Sequence, residues 1–443
     1  MYKKPVIEKI DTFASKVPSS PYKTQRIKKE IDGVDVYDLV KEFGSPLFVF
    51  SERDIENKYL EFKEAFSSRY PDVEFWWSYK TNYLGAICKV FHKLGSKAEV
   101  VSEFEYQKAR HLGIDGKDII FNGPYKNKEA LEVAVKEGAK IHIDHWDEIN
   151  DLEEIADKLG VNIPVAIRCN MNTGVYPLWS RFGFNIDNNE AYDAIKRIYE
   201  GKKLYLIGLH THIGTFMLSA DAYRVAAKKL TELKNRVEEE FGFNIEYLDL
   251  GGGFASKNRL KGVYQPPEVI VPTPDDYAIA ITDTIYATNK GNLPKLYLET
   301  GRALIDEAGY LLTSVFASKR LPDGKVSYIL DAGVNLLYTS FWYNFDIFLS
   351  KKYDDISELS ILNGPLCMNI DVIADNIYLP PLNRGDVLTI APVGAYNVTQ
   401  WMQFIRYRPA VVLIDKNSNP HLIREKEDLE DIIKRERIPD YLK

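Results

Sequence analysis

Lys80 closes an apolar run, Val73-Glu-Phe-Trp-Trp-Ser-Tyr-Lys80, and is followed by Thr81-Asn82. A lysine held at the mouth of a buried strand loses hydration, which favours its neutral amine. A neutral amine attacks carbonyls and forms Schiff bases. A lysine that merely ends a strand and snorkels to water would look the same in isolation. Three later segments argue for the reactive reading: His210-Thr-His-Ile-Gly-Thr215, Gly251-Gly-Gly-Phe254 and Glu299-Thr-Gly-Arg302. Each follows an apolar run that reads as a strand. Each supplies one part needed to hold a phosphorylated, nitrogen-containing ring.

Gly251, Gly252 and Gly253 lack side chains, so their backbone amides can approach an oxyanion closely, although a tight turn would use the same residues. Arg302 can add a charge-assisted contact to the same phosphate. Glu299 ends the apolar run Leu296-Tyr-Leu298, where a carboxylate is costly unless paired. A protonated ring nitrogen would be such a partner and would keep the ring an electron sink; a salt bridge to Arg302 is the plainer alternative. His210 and His212 share one side of an extended segment. Two such histidines could bind a metal, but nothing near Asp144 and His145 suggests further ligands, and no metal is expected. One flat imidazole stacked on a ring accounts for one histidine, and the other reads as packing. Thr215 is a candidate hydrogen-bond donor to the phosphate.

These residues need strands to carry them. Apolar runs at 75–79, 98–101, 118–121, 141–144, 164–168, 206–210, 247–250 and 296–299 alternate with helix-like stretches at 83–94, 103–112, 128–137, 146–159, 190–200 and 220–240. The latter show apolar spacings of three and four. Ser102-Glu-Phe-Glu105 reads as a capping box. Roughly eight strand–helix units fit a closed parallel barrel or a doubly wound open sheet; eight is the barrel number, so a (β/α)8 barrel of TIM type is expected, with strands apolar on both faces as in Val165-Ala-Ile. Its active site lies at the carboxyl ends of the strands, and all four segments fall there. After about residue 305 come short alternating runs at 311–317, 326–330, 360–362, 371–377, 387–391 and 410–414, separated by turns such as Asn363-Gly-Pro365. That pattern predicts a second, C-terminal antiparallel β domain. The expected division is a barrel over 46–304 and a discontinuous β domain over 1–45 and 305–443. The run at 46–50 is a further strand that can join the C-terminal sheet. A surface helix is expected within 425–437.

The 443 residues are 45% apolar, enough for a large core, and the net charge of −7 argues against nucleic acid as a partner. Three scattered cysteines, Cys88, Cys169 and Cys367, suit a reducing compartment rather than a disulfide framework. The N-terminus lacks a signal peptide's apolar core, and no apolar run reaches membrane-spanning length. A soluble cytoplasmic protein without a membrane partner is expected.

The ordered motifs resemble the fold-type-III, pyridoxal-phosphate-dependent decarboxylases, the group of diaminopimelate, ornithine and arginine decarboxylases, over roughly residues 45–415. Tyr79-Lys-Thr-Asn82 is similar to the cofactor-lysine motif, and Val100-Val-Ser-Glu-Phe-Glu105 to the strand–helix signature after it. Ser180-Arg-Phe-Gly183, the histidine segment, Gly251-Gly-Gly-Phe and Glu299-Thr-Gly-Arg302 follow in family order. So do Gly364-Pro-Leu-Cys367 with Asp371, and Gly394-Ala-Tyr396. The resemblance implies an alanine racemase-like architecture, pyridoxal 5'-phosphate as cofactor, and a head-to-tail homodimer with shared active sites. It implies that Lys80 carries the cofactor, His212 stacks on the ring and Glu299 pairs with the ring nitrogen. Gly251 to Gly253, Gly301, Arg302, Thr215 and Tyr396 would hold the cofactor and its phosphate. Cys367 would reach a partner's site and assist protonation of the carbanion. Arg302, Tyr343, Met368, Asn369 and Tyr396 would face the substrate.

Two departures bear on the substrate. Diaminopimelate decarboxylases follow this cysteine with Glu-Ser, where Met368 and Asn369 stand here. They carry an arginine near Thr339, although Tyr343 fits their tyrosine. A distal amine and a distal carboxylate would both lose their partners. The aromatics Trp342, Tyr343 and Trp401 suggest a larger or less polar distal group. The predicted function is removal of the α-carboxylate of an amino acid. The alternatives are an amino-acid racemase on the same fold, a non-catalytic cofactor-binding regulator, and a metal-dependent barrel hydrolase. Alanine-type racemases place arginine at the ring nitrogen, so Glu299 favours decarboxylation.

Overall fold

A computed structural model describes residues 25–443. The N-terminal segment examined for a leader lies outside the described residues. The chain divides into two compact units.

The first unit comprises residues 55–256 and 271–305. Its eight parallel strands are Val73–Ser78, Lys97–Val100, Ile119–Phe121, Lys140–Ile143, Ile163–Asn170, Leu204–Thr211, Tyr247–Asp249 and Lys295–Thr300. Each pairs in parallel with the next, and the eighth pairs with the first, Leu298 opposite Phe75, so the barrel closes. Closure leaves no free edge and buries both faces, which is why these strands read as continuous apolar runs. Trp76, Ile120, Ala166, Tyr247 and Tyr297 pack together as a buried cluster. Tyr247 stacks on Tyr297 with centroids 4.3 Å apart. Gly208 makes room for this, because a Cβ there would sit 2.3 Å from the Tyr247 ring. Lys97 and Lys140, the first residues of their strands, place their ammonium groups over Trp76 at 5.1 and 5.7 Å. Cations and aromatic rings therefore fill the amino ends, and the chemistry is left to the carboxyl ends.

Helices alternate with these strands, and their caps explain where they start. Asn127 accepts from the Ala130 N–H at 2.7 Å, and Thr273 forms a full capping box with Asp276 ahead of Pro274–Thr288. Ala220–Phe241 turns Ala222, Tyr223, Ala226, Ala227, Leu230, Leu233 and Val237 inward. Each such leucine stabilises by about 1.5–3 kcal/mol. The box expected at Ser102 is half formed. Ser102 accepts from the Glu105 N–H, but the Glu105 carboxylate reaches past the cap to accept from the Val101 N–H at 2.8 Å.

The second unit comprises the described residues up to Asp54, then 257–270 and 306–443. The expected boundary at residue 46 moves because Leu47–Ser51 is buried throughout and has neighbours on both sides. It runs antiparallel to Gly309–Arg320 and parallel to Ala410–Ile414. The segment 257–270 leaves the barrel for a similar reason, with Arg259–Leu260 pairing with Tyr343–Asn344. The predicted antiparallel pattern holds for most pairs. Val326–Leu330 with Glu358–Asn363 is parallel, as is the pair between Leu47–Ser51 and Ala410–Ile414. The C-terminal surface helix is one short turn, Leu429–Ile433, with both end residues exposed. No helix among the described residues is long and apolar enough to cross a membrane.

Burial pushes the Glu105 carboxyl from 4.5 up to about 7. Below about pH 4.5 the group is protonated in both folded and unfolded chains. Between that and about pH 7 the unfolded chain releases the proton first, so stability falls as pH rises. Glu105→Gln removes this titration and keeps an acceptor for Val101. Denaturant midpoints should show the variant gaining on the wild type across that window, by roughly 3 kcal/mol at most.

Candidate active site

The barrel unit carries the first set of candidates. After the first strand the chain tightens into a turn, Tyr79–Thr81, which lifts Lys80 out of the strand. Its ammonium meets the Glu99 carboxylate of the second strand. Glu99 in turn accepts at 3.1 Å from Asn122 Nδ2, just past the third strand, and the same amide donates to Glu299 on the eighth. Asn122 thus bridges two buried carboxylates. His210 Nε2 lies 3.4 Å from Glu299 Oε1, and its ring packs on His142 at 4.8 Å. His142 Nε2 meets the Tyr247 hydroxyl at 3.0 Å. Burial drives both imidazoles well below their ordinary value, so both are neutral.

His212 has other surroundings. Its half-buried ring lies 5.5 Å from Trp179, and its Nδ1 accepts from the Gly252 N–H at 3.1 Å. That bond puts the proton of the neutral ring on Nε2 and fixes the plane of the imidazole. Burial first, then the Arg168 charge, push this ring down to about 3. The glycine run is partly committed inside the protein. Gly251 N–H donates to Asp249 Oδ1 at 2.8 Å and Gly252 N–H to His212, so only Gly253 has an amide engaged by neither side chain. The expectation of three amides for an anion reduces to one of the run. The other two glycines are needed for closeness. A Cβ on Gly252 would stand 2.1 Å from the Glu299 carbonyl oxygen. Arg302 opens the short buried helix Arg302–Ile305, with its guanidinium 5.8 Å from the Phe216 ring, and Gly301 abuts the Thr81 hydroxyl. Thr215 is exposed.

The remaining candidates belong to the second unit. Cys367 is exposed, Met368 half-buried and Asn369 exposed. Asp371 braces their turn, accepting from Leu366 N–H at 2.7 Å and Val334 N–H at 2.8 Å. It therefore ties Gly364-Pro-Leu-Cys367 to the Asp331-Ala-Gly-Val334 loop. Tyr343 is buried. Thr339 is buried too, and its hydroxyl donates to Asn397 Oδ1 at 2.9 Å. Tyr396 holds φ at +64°, a conformation costly for a side chain this large, just ahead of Asn397–Gln400.

Sequence reasoning missed Glu99, Asn122, His142, Arg168 and Asp249. Glu99 and Asp249 carried a usable signal, a carboxylate inside a short apolar strand, the same signal that singled out Glu299. The barrel residues fit pyridoxal phosphate. They offer an amine, a buried acid without a cation on it, a neutral flat ring of fixed orientation, and a glycine cradle that any Cβ would fill.

A family model described as pyridoxal-dependent decarboxylase, pyridoxal binding domain, matches residues 52–306. The chain is 32% identical to a diaminopimelate decarboxylase of Methanocaldococcus jannaschii, over 93% of this chain and 95% of that protein. It is 27% identical to the L-glutamyl-(BtrI acyl-carrier protein) decarboxylase of Niallia circulans, over 91% of this chain and 96% of the relative. The crystal structure of diaminopimelate decarboxylase from M. jannaschii with L-lysine matches at a TM-score of 0.85. There the identity is 31%, over 95% of this chain and 99% of that one.

Gly252→Ala forces the Glu299 carbonyl to move. Absorbance titration with pyridoxal phosphate should show at least about tenfold weaker binding, and denaturation should show a loss of about 1–3 kcal/mol.

Proposed function

The chain belongs to the pyridoxal-dependent decarboxylases, and on that premise we propose roles for its residues and a class for its substrate. It is an enzyme that removes carbon dioxide from an amino acid with pyridoxal phosphate. When bound, the cofactor supplies an aldehyde for amines and an electron-withdrawing ring. Lys80 is the amine that anchors the aldehyde, and Glu99 holds its ammonium when it is released. His212 offers its flat face to the ring, its orientation set by Gly252. Glu299 faces the ring nitrogen and keeps a proton there. The Gly253 amide, Thr215, Arg302 and Tyr396 bind the phosphate, while Gly251, Gly252 and Gly301 give it room. Cys367 returns a proton to the substrate carbon. Arg302, Tyr343, Met368, Asn369 and Tyr396 line the substrate.

The observation that carries this reading is the environment of Glu299. It is buried, accepts from the Asn122 amide and faces a neutral imidazole, and no lysine or arginine forms an ion pair with it among the described residues. A buried carboxylate so placed calls for a cationic partner from outside the chain, and a protonated ring nitrogen is one. A racemase would set a cation there instead. We propose a homodimer in the cytoplasm. Phe341 and Trp342 expose about half their surface and pack edge to face with Tyr338, an apolar patch that a second copy would cover. The three cysteines are free.

The substrate we propose is an amino acid whose far end carries no separate amine and carboxylate pair. Met368 and Asn369 stand where the resemblance to diaminopimelate decarboxylases implies an acid and a serine, and the Thr339 hydroxyl donates to Asn397. The N. circulans relative is named for an L-glutamyl group on a carrier protein, so this scaffold admits other far ends. A screen of released carbon dioxide against amine product tests the reading. Lys80→Ala should fall to background and lose the visible absorbance of the bound cofactor. Diaminopimelate should be at least about tenfold poorer in kcat/KM than the best uncharged-ended substrate, and Met368→Glu should narrow that gap. A wild-type preference for diaminopimelate would overturn the substrate class, and inverted amino acid without carbon dioxide would overturn the reaction.

A further inference from the structure

We propose that Asp249 keeps a proton at neutral pH and donates it to the Glu299 carboxylate, which makes Asp249 a positioning residue for the acid at the ring nitrogen. The inference rests on the reading that Glu299 faces that nitrogen.

Most buried acids at this end of the barrel have a cation. Glu99 has Lys80. Asp144 has Arg168 at 3.5 Å, and Glu148 has Lys126 at 2.7 Å. Among the described residues, neither Asp249 nor Glu299 forms an ion pair with a lysine or an arginine. Their oxygens lie, with ring nitrogens of His142 and His210, in one buried set within 4.8 Å. The other groups around them come from every neighbouring strand. Tyr247 and Tyr297 are buried phenols pushed upward by desolvation. His142 and His210 are neutral, and Asn122 is uncharged. Lys80, Arg168 and Lys126 each already sit on another carboxylate. Two ionised carboxylates in such surroundings repel each other with little water to screen them. One proton removes the conflict.

The geometry also says where that proton goes. Glu299 Oε1 receives the Asn122 amide and faces His210. Asp249 Oδ1 receives the Gly251 N–H at 2.8 Å, while Oδ2 is buried with no hydrogen-bond partner. An acid already fed by donors favours its charged form, and an oxygen without one is the cheaper place for a proton. Once protonated, Oδ2 becomes a donor and its missing bond is made. Burial and then the Glu299 charge act in the same sense, holding the Asp249 carboxyl well above the ordinary carboxylate range.

The consequence lies in the chemistry. A hydrogen bond donated to Glu299 weakens it as a base. The proton between Glu299 and the ring nitrogen then rests on nitrogen, and the ring draws electrons more strongly. Asp249 gives up nothing in a turnover; it sets the basicity of the residue that faces the cofactor.

The test uses holoenzyme grown with carboxyl-labelled aspartate. Infrared spectra at about pH 9, where Glu105 is ionised, should show a label-sensitive band of a protonated aspartic acid in the wild type. The band should vanish in Asp249→Asn. Asp249→Asn retains an acceptor for Gly251 and an N–H donor for Glu299, so its kcat and cofactor absorbance should stay within about threefold and near wild type. Asp249→Val lacks the donor. It should lose at least about tenfold in kcat with little change in KM, and its cofactor absorbance should titrate at higher pH. No label-sensitive band in the wild type overturns the inference even if Asp249→Val fails to fold. So does a tightly held divalent cation at one per chain. Equal kinetics and spectra for Asp249→Asn and Asp249→Val would make Asp249 merely structural. If Glu299→Gln matches wild-type absorbance and rate, the ring-nitrogen reading itself fails, and the positioning role falls with it whatever the infrared band shows.

Discussion

A carboxylate withdrawn from water costs several kcal/mol unless a cation or a proton meets it. Closing eight parallel strands into a barrel imposes that demand on every acid near the carboxyl ends. The fold answers with a graded set of solutions. Glu148 and Asp144 take buried or nearly buried cations from neighbouring segments. Glu99 takes the Lys80 amine, proposed as the cofactor's anchor. Glu299 accepts from the Asn122 amide and lies beside a neutral imidazole, neither of which cancels its charge. The uncancelled acid is the one proposed to meet the ring nitrogen, and the glycine loop is hydrogen-bonded to it and to His212. Gly251 N–H returns to Asp249, Gly252 N–H orients His212, and the Gly251 carbonyl accepts from the Glu299 N–H at 2.9 Å. Ring support, acid and cradle are therefore one hydrogen-bonded assembly.

That coupling explains which parts of the site could be read from sequence. Lys80, His212, Gly251 to Gly253, Glu299 and Arg302 were legible because each sits just past an apolar run, and a barrel gathers all such positions at one end. Glu99 and Asn122 were not. Each is a single polar residue in or beside a strand of three or four residues, and its meaning comes from the neighbour that closure brings alongside. The amide count erred for a related reason. Three glycines in sequence advertise three free N–H groups, but Asp249 and His212, one strand apart in space, had already claimed two.

The second unit was legible in its strands and obscure in its membership. Leu47–Ser51 has the composition of a buried parallel strand and precedes a helix, so it mimics the opening of a barrel unit. The sequence left it able to join the C-terminal sheet, and its pairing with Gly309–Arg320 and Ala410–Ile414 places it there. Asp371 is instructive in the opposite sense. Its position after Gly364-Pro-Leu-Cys367 suggested a functional motif. In the structure it is a brace whose carboxylate takes two backbone N–H groups and leaves no room for a Cβ on Gly333 or Gly364. Motif membership there reports the cost of holding two loops in register rather than contact with a ligand.

The two units therefore differ in how freely they can change. Within the barrel, replacing Glu299, Asp249 or Asn122 strands another buried polar group, with a penalty of about 1–3 kcal/mol or more for each partner left unmet. Exposed Asn369 and half-buried Met368 have no such ties. Thr339 is the exception, buried with its hydroxyl and N–H on Asn397 Oδ1 and its carbonyl taking the Trp342 N–H. A chain that keeps the reaction and alters the substrate should then vary at residues of the second kind and hold those of the first. The positions where this sequence departs from diaminopimelate decarboxylases, 339, 368 and 369, fall in the second unit, and the residues proposed for the ring chemistry fall in the barrel. Chemistry is fixed by charge burial, and specificity is left to residues whose replacement costs the fold little.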